Sequence, residues 1–183
     1  MTWTRELADA LRDAANRIAN RPATYYWCSV LTCNCGILAQ SICGVTATQL
    51  HALMFREWPE HCGRGIWSDR SDACSNTDQP LPRVMIRLRE AGLTWQDIAQ
   101  LEALANDRIR SAAGLPANTP AHHHDFANPT SVIAYMWAWA DMIDEQFAVA
   151  ATRAAPIAAM QPVIQPVVGD ALRPSIFVVP SSS

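Results

Sequence analysis

The residues best suited to chemistry in this chain are its six cysteines, four of which fall between residues 25 and 43. Cys33 and Cys35 are separated by one residue, whereas structural zinc sites usually pair ligands two to four residues apart, because that loop lets both sulfurs face one ion. Iron–sulfur patterns also favour two-residue gaps. The tight pair therefore needs distant ligands to complete a site. The candidate ligands for zinc or an iron–sulfur cluster are Cys33, Cys35, Cys62, Cys74 and His61.

Two other interpretations of Cys33 and Cys35 stay open on the sequence. A helix is predicted from Gly36, and the backbone donors and dipole at its start would stabilise a thiolate, as in a redox or nucleophilic cysteine. Free cysteines are also among the residues most often buried, so the pair can belong simply to the core. Metal binding, thiol chemistry and burial are therefore three alternatives for the same two residues.

The composition limits the other classes of function. The 183 residues are half hydrophobic and carry a formal net charge of -3, so a core is available and the basic surface typical of nucleic-acid-binding proteins is not expected. All fourteen basic residues are arginine, which excludes a P-loop lysine and a Schiff-base lysine. Early acidic residues argue against a signal peptide, and no apolar run is long enough for a membrane helix. We therefore expect a cytoplasmic protein with no membrane span and no nucleic-acid partner.

The first part of the chain combines one clear helix with one less regular stretch. Apolar residues recur on one helical face from residue 3 to residue 20. Arg21-Pro22 ends this helix, because the residue before a proline is pushed out of the helical region. The following stretch 23–32 is aromatic and β-branched, which favours an extended segment.

Two further helices are predicted before residue 58. The first covers residues 36–43, with Gly44 in the position that commonly follows a helix end. Thr46 and Gln49 then have the spacing of a capping box, in which each side chain satisfies a backbone donor of the other residue. The second helix is expected over residues 47–57.

The region from residue 58 to residue 114 begins with a long loop and ends in helices. Residues 58–79 lose all periodicity, and a loop of this length needs a metal or buried tryptophans to hold it. A helix follows Pro82 and closes at Gly92. Thr94 caps the next helix with Asp97 near its start.

The last 70 residues differ in character from the first 114. Residues 115–130 are a proline-broken linker, and residues 131–154 form a helix that is apolar on more than one side. Such a helix is either central to the bundle or docked against another chain. The proline-rich tail 155–183 can form neither a helix nor a core of its own, so a partner or a second copy of the chain is expected to hold it.

One stretch supports a resemblance. The run Cys33-Asn34-Cys35-Gly36-Ile37-Leu38-Ala39-Gln40, followed by Trp67, Cys74 and the segment 91–102, resembles a group of uncharacterised bacterial proteins with a Cys-Asn-Cys-Gly-x-Leu-Ala-Gln signature. The similarity spans about residues 25–112. It implies that the first 112 residues are one unit, and it brings no known function.

The sequence therefore predicts a mainly α-helical protein, a small irregular bundle with a long loop. Its parts are a cysteine-containing helical domain over 1–114, a linker over 115–130, a C-terminal helix over 131–154 and an extended tail over 155–183. The leading functional hypothesis is a non-catalytic interaction or assembly subunit that docks onto a protein partner, or onto a second copy, through residues 131–183. The alternative is a thiol- or metal-dependent redox enzyme using Cys33 and Cys35.

Overall fold

The protein is mainly α-helical, as predicted. A computed structural model describes residues 3–27, 29, 31–57, 83–119 and 124–159, and no β-strand occurs among them. The predicted long loop 58–79, most of the tail and residues 120–123 of the linker lie outside the described residues. The helices are α1 (Arg5–Asn20), α2 (Asn34–Cys43), α3 (Ala47–Glu57), α4 (Arg83–Glu90), α5 (Trp95–Ala103), α6 (Asp107–Ala112) and α7 (Pro129–Ala159), with short 3₁₀ turns at Pro22–Thr24 and Asp125–Ala127.

Helix α1 forms where the amphipathic pattern predicts it. Thr4 caps its first turn by accepting a hydrogen bond from the backbone N–H of Leu7 at 3.2 Å, and the Thr4 hydroxyl donates to the carbonyl of Ala91 at 2.7 Å. The helix ends at Asn20, just before Arg21-Pro22. Its whole apolar face is buried, so α1 is one wall of the core; the buried residues are Leu7, Ala8, Ala10, Leu11, Ala14, Ala15 and Ile18.

Helix α7 packs along α1 in the opposite direction. The guanidinium of Arg5, at the start of α1, lies 4.9 Å from the ring centre of Phe147, whereas Arg12 donates to Asp141 at 2.8 Å and to Asp144 at 2.6 Å. Helix α7 therefore packs against the bundle with one face while its opposite face stays exposed, so it is not the central helix that was one of the two predicted alternatives. The same core takes side chains from 1–114 and from α7; those of α7 are Val132, Tyr135, Met136, Trp139, Ala140, Met142 and Ile143.

In the described part of residues 23–32 the chain forms turns instead of the predicted extended segment, although Tyr25 itself has extended backbone angles. Pro22–Thr24 is a 3₁₀ turn, in which Tyr25 donates its backbone N–H to the carbonyl of Pro22 at 3.2 Å. A second turn follows, with the N–H of Thr32 bonded to the carbonyl of Ser29 at 2.9 Å. Local hydrogen bonds of this kind satisfy backbone groups without a partner strand, and they outweigh the β propensity of the side chains.

Three of the predicted helix-end signals are confirmed, but the predicted end of the C-terminal helix at residue 154 is wrong, because α7 continues through Pro156 to Ala159. The backbone N–H of Thr46 donates to the side chain of Gln49 at 2.9 Å, and the reverse bond of the capping box is 3.3 Å. Thr94 and Asp97 form a second capping box at the start of α5. Gly44 follows α2 with φ +63°, a conformation that glycine adopts without steric cost.

The sequence analysis predicted no membrane-spanning helix, and this prediction can be compared with the length and composition of the observed helices. Among the described helices, none alone is long and apolar enough to cross a membrane. Helix α2 and residues 47–54 of α3 reach that length and apolarity only as a pair bent by 94°.

Candidate functional site

The cysteine signature lies at the start of α2, where its first cysteine acts as the N-cap. Cys33 has extended backbone angles, and its sulfur accepts a hydrogen bond from the backbone N–H of Gly36 at 3.3 Å. A thiol in this position does what serine or threonine does at other helix starts. The residue is only 3 % exposed, so its sulfur faces the core.

Asn34 and Cys35 tie the start of α2 to the end of α5. The Asn34 side-chain amide donates to the carbonyl of Leu101 at 2.7 Å, and its oxygen accepts the backbone N–H of Cys35 at 2.8 Å. The Cys35 thiol lies 3.8 Å from the carbonyl of Ile98, to which it is hydrogen-bonded. The last carbonyls of a helix have no partner within the helix. The Leu101 carbonyl also accepts the backbone N–H of Leu104 at 3.2 Å, so the side chains of α2 add second bonds that hold α5 in place.

Gln40, the last residue of the signature, joins α2 to two other segments. Its amide N–H donates to the carbonyl of Leu31 at 2.6 Å, and its oxygen accepts from the guanidinium of Arg17 at 2.8 Å. Gln40 is buried, so these contacts satisfy polar atoms that would otherwise be costly to enclose. Of the predicted alternatives, burial describes the position of Cys33 and Cys35.

The electrostatics around Cys35 oppose a thiolate. The residue is 4 % exposed, and burial is the main reason that the pKa of its thiol is raised well above the ordinary value; Cys33 and Glu102 add to the rise. Burial likewise raises the pKa of the Tyr25 phenol, with Cys33 and Cys35 contributing. A reactive cysteine needs the opposite environment, exposed and electropositive. The geometry at Cys35 therefore gives the thiol-enzyme hypothesis no support.

The predicted metal site stays a prediction. Of its five candidate ligands the structure describes Cys33 and Cys35, whereas His61, Cys62 and Cys74 lie outside the described residues. Within the described part of the chain, no three or more His, Cys, Asp or Glu side chains are arranged to hold a metal ion. Whether the distant loop completes a site with the cysteine pair is therefore a matter for metal analysis of the purified protein.

A groove of about 470 Å³ between α1 and α2 carries several carboxylates. Glu6 in this groove is bonded to Arg87 of α4 at 2.7 Å, and Asp13 accepts the hydroxyl proton of Ser41 at 2.6 Å. These carboxylates connect helices to each other. Two of the three carboxylates in the groove therefore have structural contacts.

The residue that the sequence analysis missed is Arg110 of α6. It is 1 % exposed, and its guanidinium donates to Asp125 at 2.7 Å, to the carbonyl of Pro116 at 2.6 and 2.8 Å, and to the carbonyl of Leu104 at 3.0 Å. One side chain therefore fixes the end of α5 and the connection to α7. The sequence carries no signal that separates Arg110 from the exposed Arg108 two residues earlier.

The second candidate site is the C-terminal part of α7, which extends beyond α1. Arg5 at the beginning of α1 already lies against Phe147, yet α7 continues to Ala159. We call residues 148–159 the overhang; at 1.5 Å per residue it is about 18 Å long. Every side chain from 148 to 153 is exposed, including the apolar Val149 at 52 %.

Comparisons with protein-family models, with curated proteins and with solved structures find no match to this chain. The resemblance to bacterial proteins with the Cys-Asn-Cys-Gly signature stays a prediction. The function must therefore be argued from the two sites themselves, the buried signature and the exposed overhang.

Proposed function

We propose that the protein is a non-catalytic interaction subunit that docks onto a protein partner through the overhang of α7. The observation that carries this proposal is that α7 continues well past the bundle that supports it. The sequence hypothesis assigned docking to the whole of residues 131–183. The burial pattern narrows the docking part of the helix, because the side chains up to Ile143 already line the chain's own core.

The buried face of α7 is interrupted at a defined point. Residues three, four and seven apart share one face of a helix, so Ala150 continues the line of Ile143 and Ala151 continues that of Phe147. Ile143 is buried and Phe147 is partly buried, whereas Ala150 and Ala151 are exposed. Helix α7 therefore continues past the point at which the other described helices stop covering this face.

The composition of the overhang favours a helix that a partner can complete. Alanine has the highest helix propensity, and the overhang is rich in it, but Pro156 within it lacks the N–H for one helical hydrogen bond. The overhang continues a helix that the bundle has already nucleated, so what it lacks is packing. Burial of Val149 and its alanine neighbours on a partner would supply that packing.

The cysteine signature supports the non-catalytic part of the proposal. Cys33, Asn34 and Cys35 are each buried and hydrogen-bonded to neighbouring backbone groups. Their role is to hold α2 against α5 and so to stabilise the helical bundle beyond which α7 extends. A metal bound by the cysteine pair and the distant loop would stabilise the same bundle further.

Photo-crosslinking tests the docking surface. We place benzoylphenylalanine at position 149 of the full chain in its native cells, and at position 108 as a control on the exposed side of α6. We expect one dominant adduct of defined mass from position 149 and little from position 108, because only the overhang is covered by a partner.

Two outcomes would count against the proposal. One is the absence of any adduct at position 149, both at normal expression and when the chain is overexpressed. The other is the same diffuse set of adducts from both positions, which indicates random collisions. An adduct at twice the mass of the chain identifies a second copy, and any other single mass identifies a different protein.

A further inference from the structure

We propose that the partner of the overhang is the overhang of a second copy of this chain, paired antiparallel about Val149. This inference rests on the proposed function, since it names the occupant of the same surface. Three exposed residues at regular spacing carry it: Glu145, Val149 and Arg153.

These three residues share one face of α7. Steps of four residues turn the helix by about 40° beyond a full turn, so the set spans an arc of about 80°. Val149 is the apolar centre of this face, with an acidic side chain one turn before it and a basic side chain one turn after it. The face is exposed at all three positions.

The two charges on this face have no recorded ion-pair partner among the described residues. Glu145 and Arg153 are eight positions apart, which is about 12 Å along the helix axis. This distance is too long for an ion pair between them within one helix. The acidic residues nearest to this face, Asp141 and Asp144, are both bonded to Arg12 of α1. The face thus offers one acid and one base to a partner.

A two-fold axis at Val149 pairs these charges. Glu145 and Arg153 lie at equal distances on either side of Val149, so antiparallel helices place each Glu145 opposite the Arg153 of the other copy. Parallel helices would place like charges together. The antiparallel arrangement is isologous, meaning that each copy uses the same surface, which is the usual symmetry of a homodimer. Charge pattern and symmetry therefore select the same arrangement.

The contact is short, which sets its expected strength. An overhang of about 18 Å gives a smaller contact than a standard interface, which buries about 1,600 Å² in total. We therefore expect a weak dimer that forms at high protein concentration and dissociates on dilution. Because exposed ion pairs contribute to it, added salt weakens it further.

Charge reversal measured by sedimentation velocity over a concentration series tests the pairing. Glu145→Arg alone and Arg153→Glu alone each place like charges opposite each other, so we expect each to raise the dissociation constant about tenfold or more. The double variant restores opposite charges with the signs exchanged. We expect it to return to within about threefold of the wild-type dissociation constant.

The variants are suited to this comparison because both residues are exposed. Thermal melts at low concentration should match the wild type, which separates an effect on pairing from one on folding. Single variants that dimerise like the wild type, or a double variant as weak as the singles, would overturn the inference. A wild-type chain that stays single at all concentrations also overturns it, and crosslinking from position 149 to another protein then leaves the docking function intact.

Discussion

Replacement of Arg110 with alanine is expected to lower the free energy of unfolding by about 4 kcal/mol. The guanidinium is 1 % exposed and lies between Asp125 and the backbone carbonyls of Leu104 and Pro116. Its removal leaves a partly buried carboxylate without this cation and two carbonyls without these donors. Loss of one partner from a buried ion pair costs about 3–5 kcal/mol for that reason. The measurement is chemical denaturation at neutral pH.

The matched control is Arg108→Ala, a change of the same size on the same short helix. Arg108 is exposed, so we expect a change within about 0.5 kcal/mol. If Arg110→Ala does not fold, Asp125→Asn is the second test: it keeps a hydrogen-bond acceptor for the guanidinium but leaves the buried cation without its counter-charge, so we again expect a loss of stability. Equal effects of the two arginine variants would show that the buried ion pair does not stabilise the fold.

Replacement of Asn34 with alanine is expected to cost about 2 kcal/mol of unfolding free energy. The side chain is 2 % exposed and makes one bond to the carbonyl of Leu101 and one to the backbone N–H of Cys35. Alanine removes both bonds. The Leu101 carbonyl keeps the backbone N–H of Leu104 at 3.2 Å, whereas the buried Cys35 N–H loses this acceptor, at a cost of about 1–3 kcal/mol. Denaturation followed by circular dichroism measures the loss.

Two variants show whether that loss comes from the buried contacts. Asn34→Asp keeps the acceptor for the Cys35 N–H but places a buried carboxylate oxygen against the Leu101 carbonyl, so at neutral pH we expect a loss of stability at least as large as that of alanine. Asn20→Ala removes the same side chain from the exposed end of α1 and should change stability by less than about 0.5 kcal/mol. A fully stable Asn34→Ala protein would remove the structural role assigned to the signature.

Features that depend on neighbouring residues in the chain were predictable. Helix α1 follows from the periodicity of its apolar residues, and the capping boxes at Thr46 and Thr94 follow from side chains three residues apart. The bounds of α3 agree with the predicted range 47–57. In each case the physical cause lies within one or two turns of helix.

Features that depend on distant contacts were not predictable. Arg108 and Arg110 are the same residue type on the same helix, and only the position of Asp125 and Pro116 in the folded chain makes one buried and the other exposed. The role of Asn34 likewise depends on carbonyls 67 and 68 residues away. The prediction from β propensity also failed near Tyr25, because backbone hydrogen bonds within the turns outweigh the β preference of aromatic side chains.

The cysteine signature lies where three helices of the bundle meet. Cys33 begins α2, Asn34 and Cys35 hold α5, and Gln40 joins α1. The signature therefore organises three helices around one another. The hypothesis of a metal site that also uses His61, Cys62 and Cys74 remains a prediction.

Hydrogen exchange along α7 tests the central claim most directly, namely that one part of this helix builds the bundle and the rest is free for a partner. The measurement uses the purified full chain at a concentration at which it sediments as a single copy. We expect the amides of residues 150–155 to exchange at least about a hundredfold faster than those of 135–143, because only the latter are held by the core. Equal protection along the whole helix would contradict the claim, since it would show that the chain itself already covers the overhang.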